Sequence, residues 1–258
     1  MIYAEILAGG KGTRMGTTSK PKQFIELDGK PILIYTIEAF LKNKNIDRII
    51  VCLPKTWIKD FEKILAKFIK KDKLEKIFLV EGGLDRQSSL LNGCYFIKEK
   101  FGINNIDIVL THDGVRPFIS QLIIDENIKA AKKYAAIDTV IPAIDTIVQS
   151  KDNEIIKSIP DRSQLYYGQS PQTFNIKKLL SVFEKLTKKE KEILTDACKA
   201  FVLKGEKVAL VKGDYSNIKI TTPFDLTIAK SFLKTNKKIY LAHSLNKVTP
   251  KRIKRSKR

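Results

Sequence analysis

Residues 4–24, AEILAGGKGTRMGTTSKPKQF, put four glycines and four cations directly behind an apolar run. A glycine-rich turn leaving a buried strand aims backbone N–H groups at an anion, and lysine or arginine beside it adds charge. Gly10, Gly12 and Gly16 come near the dinucleotide-binding spacing, but Thr17–Pro21 read as loop and the Walker pattern is absent. Three further stretches share this character. EGGLDRQSS (81–89) is a second Gly-Gly turn followed by Arg86 and two serines, THDGVRPF (111–118) carries Asp113 and Arg116, and NIKITTP (217–223) carries Lys219. Any one of them has an ordinary explanation as a turn or a solvated cation. Together they suit phosphoryl chemistry, with cations and backbone donors for a polyanion and one aspartate for a Mg2+ held mainly by phosphates. No Ser–His or Cys–His relay is evident among two histidines and three cysteines. None is needed if the nucleophile is itself a phosphate, whose second pKa near ~6 leaves it largely dianionic at neutral pH.

The elements that must carry these loops alternate along the chain. Ile2–Leu7 reads as a strand, and Leu33, Ile37, Phe40 and Leu41 mark one face of a helix. Strands are predicted at 48–53, 76–80, 107–111 and 139–144, separated by helices around Phe61–Phe68, at 87–100 and at 121–134. This alternation predicts an α/β fold, a mostly parallel sheet with helices on both faces. In such a sheet ligands bind beyond the carboxyl ends of the strands, the rim where all four loops fall. The pattern breaks over 145–174, where turn residues and short alternating pieces predict an inserted β-arm. Helices resume at 176–187 and 196–204, a strand follows at 207–211, and a last helix begins at Pro223. Periodicity fades near Lys234, so the reading is a domain over 1–234 and a basic extension over 235–258.

Composition narrows the class. With 43% hydrophobic and 29% charged residues the chain is ordinary for a soluble domain, and no apolar run approaches the ~20 residues of a membrane span. No secretory leader is recognised, and Cys52, Cys94 and Cys198 lack metal-like spacing, which predicts reduced thiols in a cytoplasm. The net charge of +20 allows a second reading, a nucleic-acid binder, since 247–258 hold seven cations and no acid. The remaining lysines are scattered on helix faces, and no helix-turn-helix or stacked-aromatic signature accompanies them, which argues against nucleic acid.

Taken in order, LAGGKGTRMG…PKQF, GGLDRQSS, HDGVRPF, DTI, DR…QSPQTF, TDAC and NIKITTPFDL span residues 2 to about 233. This set resembles the sugar-phosphate cytidylyltransferases, whose fold is Rossmann-like and of the nucleotidyltransferase type. The resemblance implies a homodimer through the arm and a reaction between CTP, with Mg2+, and a polyol phosphate. Leu7, Ala8, Gly9 and Gly10 would cradle the nucleotide, helped by Gly82, Arg86 and Ser89. Arg14 and Lys22 would stabilise the transition state and the departing pyrophosphate. Asp113 would contact the nucleotide and its Mg2+, and Arg116 the sugar-phosphate side. Arg162, from the neighbouring subunit's arm, and Lys219 would position the attacking phosphate, while Thr146, Ser170, Thr195 and Asp196 would contact the acceptor. Two branches are close, one using ribitol 5-phosphate and one 2-C-methyl-D-erythritol 4-phosphate. Leu7–Gly10, and Val148 where the methylerythritol branch usually has lysine, favour ribitol 5-phosphate and CDP-ribitol for a wall or capsule polymer. Ser170 departs from the usual threonine of both branches but keeps the hydroxyl.

Overall fold

β1 (Ile2–Leu7) lies near the middle of a seven-stranded sheet, buried on both faces except at its ends. A computed structural model of the chain describes residues 1–10 and 22–245, with the backbone alone at 22 and 236–245. The chain continues through a small hairpin, β2 (Glu26–Leu27) and β3 (Lys30–Pro31), into α1 (Ile32–Leu41), whose inner face is almost wholly apolar. β4 (Arg48–Leu53), α2 (Ile58–Phe68), α3 (Lys71–Leu74) and β5 (Ile77–Glu81) follow. Next come α4 (Arg86–Phe101), β6 (Ile108–Asp113), α5 (Gln121–Ala130) and β7 (Ala136–Pro142).

With β10 (Tyr166–Asn175) and β11 (Ala209–Lys212), the sheet order is β11-β7-β10-β6-β1-β4-β5, and every strand is parallel to β1 except β10. β10 corrects the sequence reading, which placed 145–174 wholly in the arm. Proline donates no ladder bond and is usually kept out of central strands. Here Pro171 is accommodated where the register slips between Gly168 and Gln172. The arm is therefore shorter. It consists of the hairpin β8 (Gln149–Ser150) and β9 (Ile156–Ser158) and a 3-10 turn over Arg162–Gln164.

The chain closes with α6 (Ile176–Glu184), α7 (Lys188–Glu192), α8 (Ala197–Leu203), β11 (Ala209–Lys212) and α9 (Pro223–Leu245). α9 runs past 234, where the apolar periodicity fades. Two apolar layers sandwich the sheet. Ile6, Ile49 and Leu110 pack on one side with Ile37 and Phe61, and Tyr3, Ile50 and Phe174 pack on the other with Cys94 and Phe201. A smaller cluster of Leu27, Ile32, Val115, Ile220 and Ala229 seats α9 beside the hairpin.

Among the buried carboxyl side chains, Glu5 lies deepest in the sheet. Glu5 in β1 has no exposure and presses so closely on α4 that a Cβ at Gly93 would lie 2.0 Å from its Oε1. The Cys52 thiol donates to Oε1 (3.3 Å), and Oε2 has no hydrogen-bond partner among the described residues. Burial pushes its carboxyl well above the usual range, so the fold favours its neutral form. An unfolded glutamate loses its proton near ~4.3 while the folded one keeps it, so this group's contribution falls as pH rises toward the folded value. Glu5→Gln is therefore expected to lose less thermal stability than the parent between pH 5 and pH 8. Equal losses in both would contradict a neutral Glu5.

Candidate functional site

From β1 the chain moves outward through β4 and β5, then returns to β6 on the other side of β1. Connections leaving β1 and β6 thus diverge, and a crevice opens between their carboxyl ends. Leu7 and Asp113, paired in register, mark its floor. The walls come from Ala8, Gly9 and Gly10 after β1, from Gly83, Leu84, Asp85, Arg86 and Ser89 at the start of α4, and from Gln23, Val115 and Lys219.

Hydrogen bonds fix the loops at this rim. The Ala8 N–H donates to Cys52 O (2.9 Å), the Gly114 N–H to Leu7 O (3.0 Å) and the Gly82 N–H to Leu53 O (2.7 Å). Gln23 Nε2 donates to Ala8 O (2.5 Å), tying the 3-10 turn Lys22–Phe24 back onto the first loop. Ser89 knits the second loop. Its Oγ accepts from the Gly83 N–H (3.0 Å) and donates to Asp85 O (2.8 Å). A Cβ at Gly9 or Gly82 would come within 3.3 or 3.1 Å of that oxygen, so both glycines permit the close approach. Asp85 caps α4 by accepting from the Ser88 N–H, which sets Arg86 in the first turn.

Three cations converge on Asp113. Arg86 Nε lies 3.6 Å from Oδ1, while Arg116 Nε and Lys219 Nζ lie 3.1 and 3.0 Å from Oδ2. Burial alone would raise the Asp113 pKa, but Arg86, Lys219 and Arg116 outweigh it and hold the carboxyl well below the usual range. Three cations against one carboxylate leave surplus positive charge at the crevice, as a polyanion requires.

Beneath them runs a buried chain of hydrogen bonds. Arg116 NH1 donates to Asn217 O (2.7 Å), and Asn217 Nδ2 donates to Ser170 O (2.8 Å). The Asp113 N–H donates to Ser170 Oγ (3.1 Å), whose hydroxyl faces His112 Nδ1 at 2.9 Å. His112 Nε2 lies 3.1 Å from Arg116 O, a carbonyl that only accepts, so Nε2 carries the proton and Nδ1 accepts from Ser170. Burial lowers the His112 pKa to about 4, which keeps this tautomer neutral.

Leu7, Ala8, Gly9, Gly10, Arg86, Ser89, Asp113 and Lys219 thus come together at the crevice, with Gly82 and Arg116 directly behind. Lys22 heads the turn that Gln23 clamps. Arg14 lies outside the described residues. Ser170 is buried under the end of β6 rather than lining the crevice. Thr146 and Arg162 sit on the exposed arm, where the Arg162 guanidinium bonds Ile144 O. Thr195 is exposed, and Asp196 caps α8 by accepting from the Lys199 N–H (2.9 Å). Sequence reasoning passed over Gln23, His112 and Asn217, uncharged residues inside the quoted motifs. Their only signal was closeness in sequence to Lys22, Asp113 and Lys219.

A family model described as IspD, 2-C-methyl-D-erythritol 4-phosphate cytidylyltransferase, matches residues 2–235. Among solved structures, 4-diphosphocytidyl-2C-methyl-D-erythritol synthase from Anaerococcus prevotii is 31% identical, with a TM-score of 0.73 over 90% of this chain and 96% of that one. The 2-C-methyl-D-erythritol 4-phosphate cytidylyltransferase of Francisella tularensis is 28% identical, with a TM-score of 0.72 over 88% of this chain and 97% of its own. The corresponding enzyme of Thermus thermophilus, 24% identical with a TM-score of 0.68, shares the fold. The family match takes in every strand of the sheet and each loop of the crevice, and the chain belongs to the IspD family of cytidylyltransferases.

Proposed function

We propose that this cytidylyltransferase forms CDP-ribitol and pyrophosphate from CTP and ribitol 5-phosphate. An oxygen of the acceptor phosphate attacks the α-phosphorus of CTP in line, the new P–O bond forming as the bond to the β-phosphate oxygen breaks. The acceptor phosphate is already largely dianionic at neutral pH, so no base is needed to make the nucleophile. What the protein must supply is charge and placement. The observation that carries this reading is the convergence of Arg86, Arg116 and Lys219 on Asp113 beside a glycine-rich rim. Asp113 holds its cations apart and oriented, while Lys219 keeps an exposed side toward the attacking phosphate. Lys22 and Arg14 serve the leaving pyrophosphate. Val148 and the Leu7–Gly10 opening support the ribitol branch. The methylerythritol phosphate reading is the alternative, supported by the names of the similar solved structures.

Mg2+ fits here as a companion of the nucleotide. Among the described residues no three His, Cys, Asp or Glu side chains gather to hold an ion, and both Asp113 oxygens already face cations. An ion coordinated mainly by phosphates, with Asp113 as the carboxylate facing it, suits this set and would neutralise phosphate charge when bound.

The arm is assigned to a second copy of the chain. Ile155, Ile156 and Ile159 are exposed along it and Ile144, Val148 and Tyr166 at its base, an apolar surface that a partner would cover. That docking would deliver Arg162 and Thr146 to the neighbour's acceptor side. Light scattering at micromolar concentration is expected to give a dimer, and a monomer would count against the arm's role. A cytoplasmic enzyme is in keeping with three free, buried thiols. No helix among the described residues is long and apolar enough to cross a membrane.

Product analysis tests the proposal. CTP, Mg2+ and ribitol 5-phosphate should yield CDP-ribitol and pyrophosphate in equal amounts by mass spectrometry and a phosphate assay. No CDP-ribitol under conditions where CTP binds would overturn the acceptor assignment.

A further inference from the structure

Behind Arg86 lies a second line of polar groups to which the phosphate-handling roles give no task. Arg86 NH1 donates to Gln172 Oε1 (3.4 Å), and Gln172 Nε2 donates to Asp138 Oδ1 (3.1 Å). Gln172 is buried in β10, directly across from Asp138 in β7. Asp138 faces Arg86 from α4 and Asp196 and Cys198 from α8, with Leu210 of β11 beside it in register. The two ends of a glutamine amide have nearly the same shape, so a charged neighbour decides which end faces which way. An ionised carboxylate only accepts. It draws Nε2 to itself and leaves Oε1, an acceptor, for the guanidinium.

We propose that Asp138, acting through Gln172, is a positioning residue that fixes the Arg86 guanidinium at the nucleotide crevice, and that loss of its negative charge weakens CTP binding. This inference rests on the proposed CTP site. Burial raises the Asp138 pKa to about 6, the Gln172 bond and Arg86 opposing and Asp196 adding to the rise. Below that pH the carboxyl is neutral and can donate, the amide loses its preferred orientation, and Arg86 loses its hold. Nucleotide affinity should therefore fall with pH through this range, beyond the change due to protonation of CTP itself.

The sign of the effect separates positioning from simple charge. Removing a negative charge beside an anion site would, by Coulomb attraction alone, tighten CTP binding. Calorimetric titration of CTP into the parent protein, Asp138→Asn and Gln172→Leu, from pH 5 to pH 8, reads the difference. Asp138→Asn should bind CTP about tenfold more weakly at pH 8, with kcat changed no more than about threefold. The parent should approach the variant's affinity near pH 5, since both then carry a neutral group, and the ligand's own protonation cancels in the comparison. Gln172→Leu should show a similar loss, and the double variant no further loss, as expected of residues acting in one chain. Equal or tighter binding by Asp138→Asn, or losses that add in the double variant, would overturn the proposal while leaving the CTP site in place. A parent protein that binds no CTP would overturn both.

Discussion

Lys22→Ala is expected to turn over CTP about 10²-fold more slowly, or worse, because removing one preorganised donor to developing charge typically costs that much. Its thermal midpoint should stay close to that of the parent. The reason lies in how position 22 is held. The first loop leaves a buried strand, Ala8 is tied to Cys52, and Gln23 reaches back to Ala8 O, so the backbone at 22 is anchored to the same rim as Gly9 and Gly10. Position 22 is thereby a fixed point of the backbone at that rim. Phe24, two residues on, supplies the packing by stacking on Trp57. Steady-state kinetics with a melting curve decide the matter. A kcat within threefold of the parent would remove Lys22 from the bond-breaking step, and a collapsed midpoint would show it to be structural.

Asp113→Ala should be damaging in a different way, through stability as well as rate. The carboxylate is nearly buried and engages three cations, of which Arg116 is itself buried. Removing one partner of a buried pair leaves uncompensated charge and costs on the order of 3–5 kcal/mol. Asp113→Asn keeps the shape and isolates the charge. Because the folded carboxyl titrates well below the usual range, its contribution is fully present above the unfolded pKa of ~3.9 and is lost as pH falls below it. The stability gap between parent and Asp113→Asn should therefore be constant from pH 5 to pH 8 and shrink in stronger acid. A gap that already narrows between pH 7 and pH 5 would contradict the three-cation arrangement.

The sheet was legible because its parallel strands are buried on both faces and read as continuous apolar runs. RIIVCL at 48–53 became β4 without a shift at either end. β10 was not legible, because its glycine and proline break the alternation and the register slip that tolerates them exists only between its neighbours. At the site, charged residues next to glycine turns announced themselves, and Arg86, Asp113, Arg116 and Lys219 do meet. The network that orients them could not be read the same way. Ser170 seemed a ligand contact from its motif, yet its hydroxyl is spent on His112 and the Asp113 backbone. Asp138, more than 20 residues from Asp113 in sequence, reaches Arg86 only because β10 inserts Gln172 between β7 and β6. Long-range pairing of that kind leaves no periodic trace in one chain.

The most direct test of the account is the ratio of kcat/KM for ribitol 5-phosphate and 2-C-methyl-D-erythritol 4-phosphate, read as pyrophosphate release from CTP with Mg2+. A site built for one acceptor's hydroxyls should reject the other by about 10²-fold or more. The expected preference is for ribitol 5-phosphate. The reverse preference would contradict it, and would show that Val148 and the Leu7–Gly10 opening do not mark the acceptor.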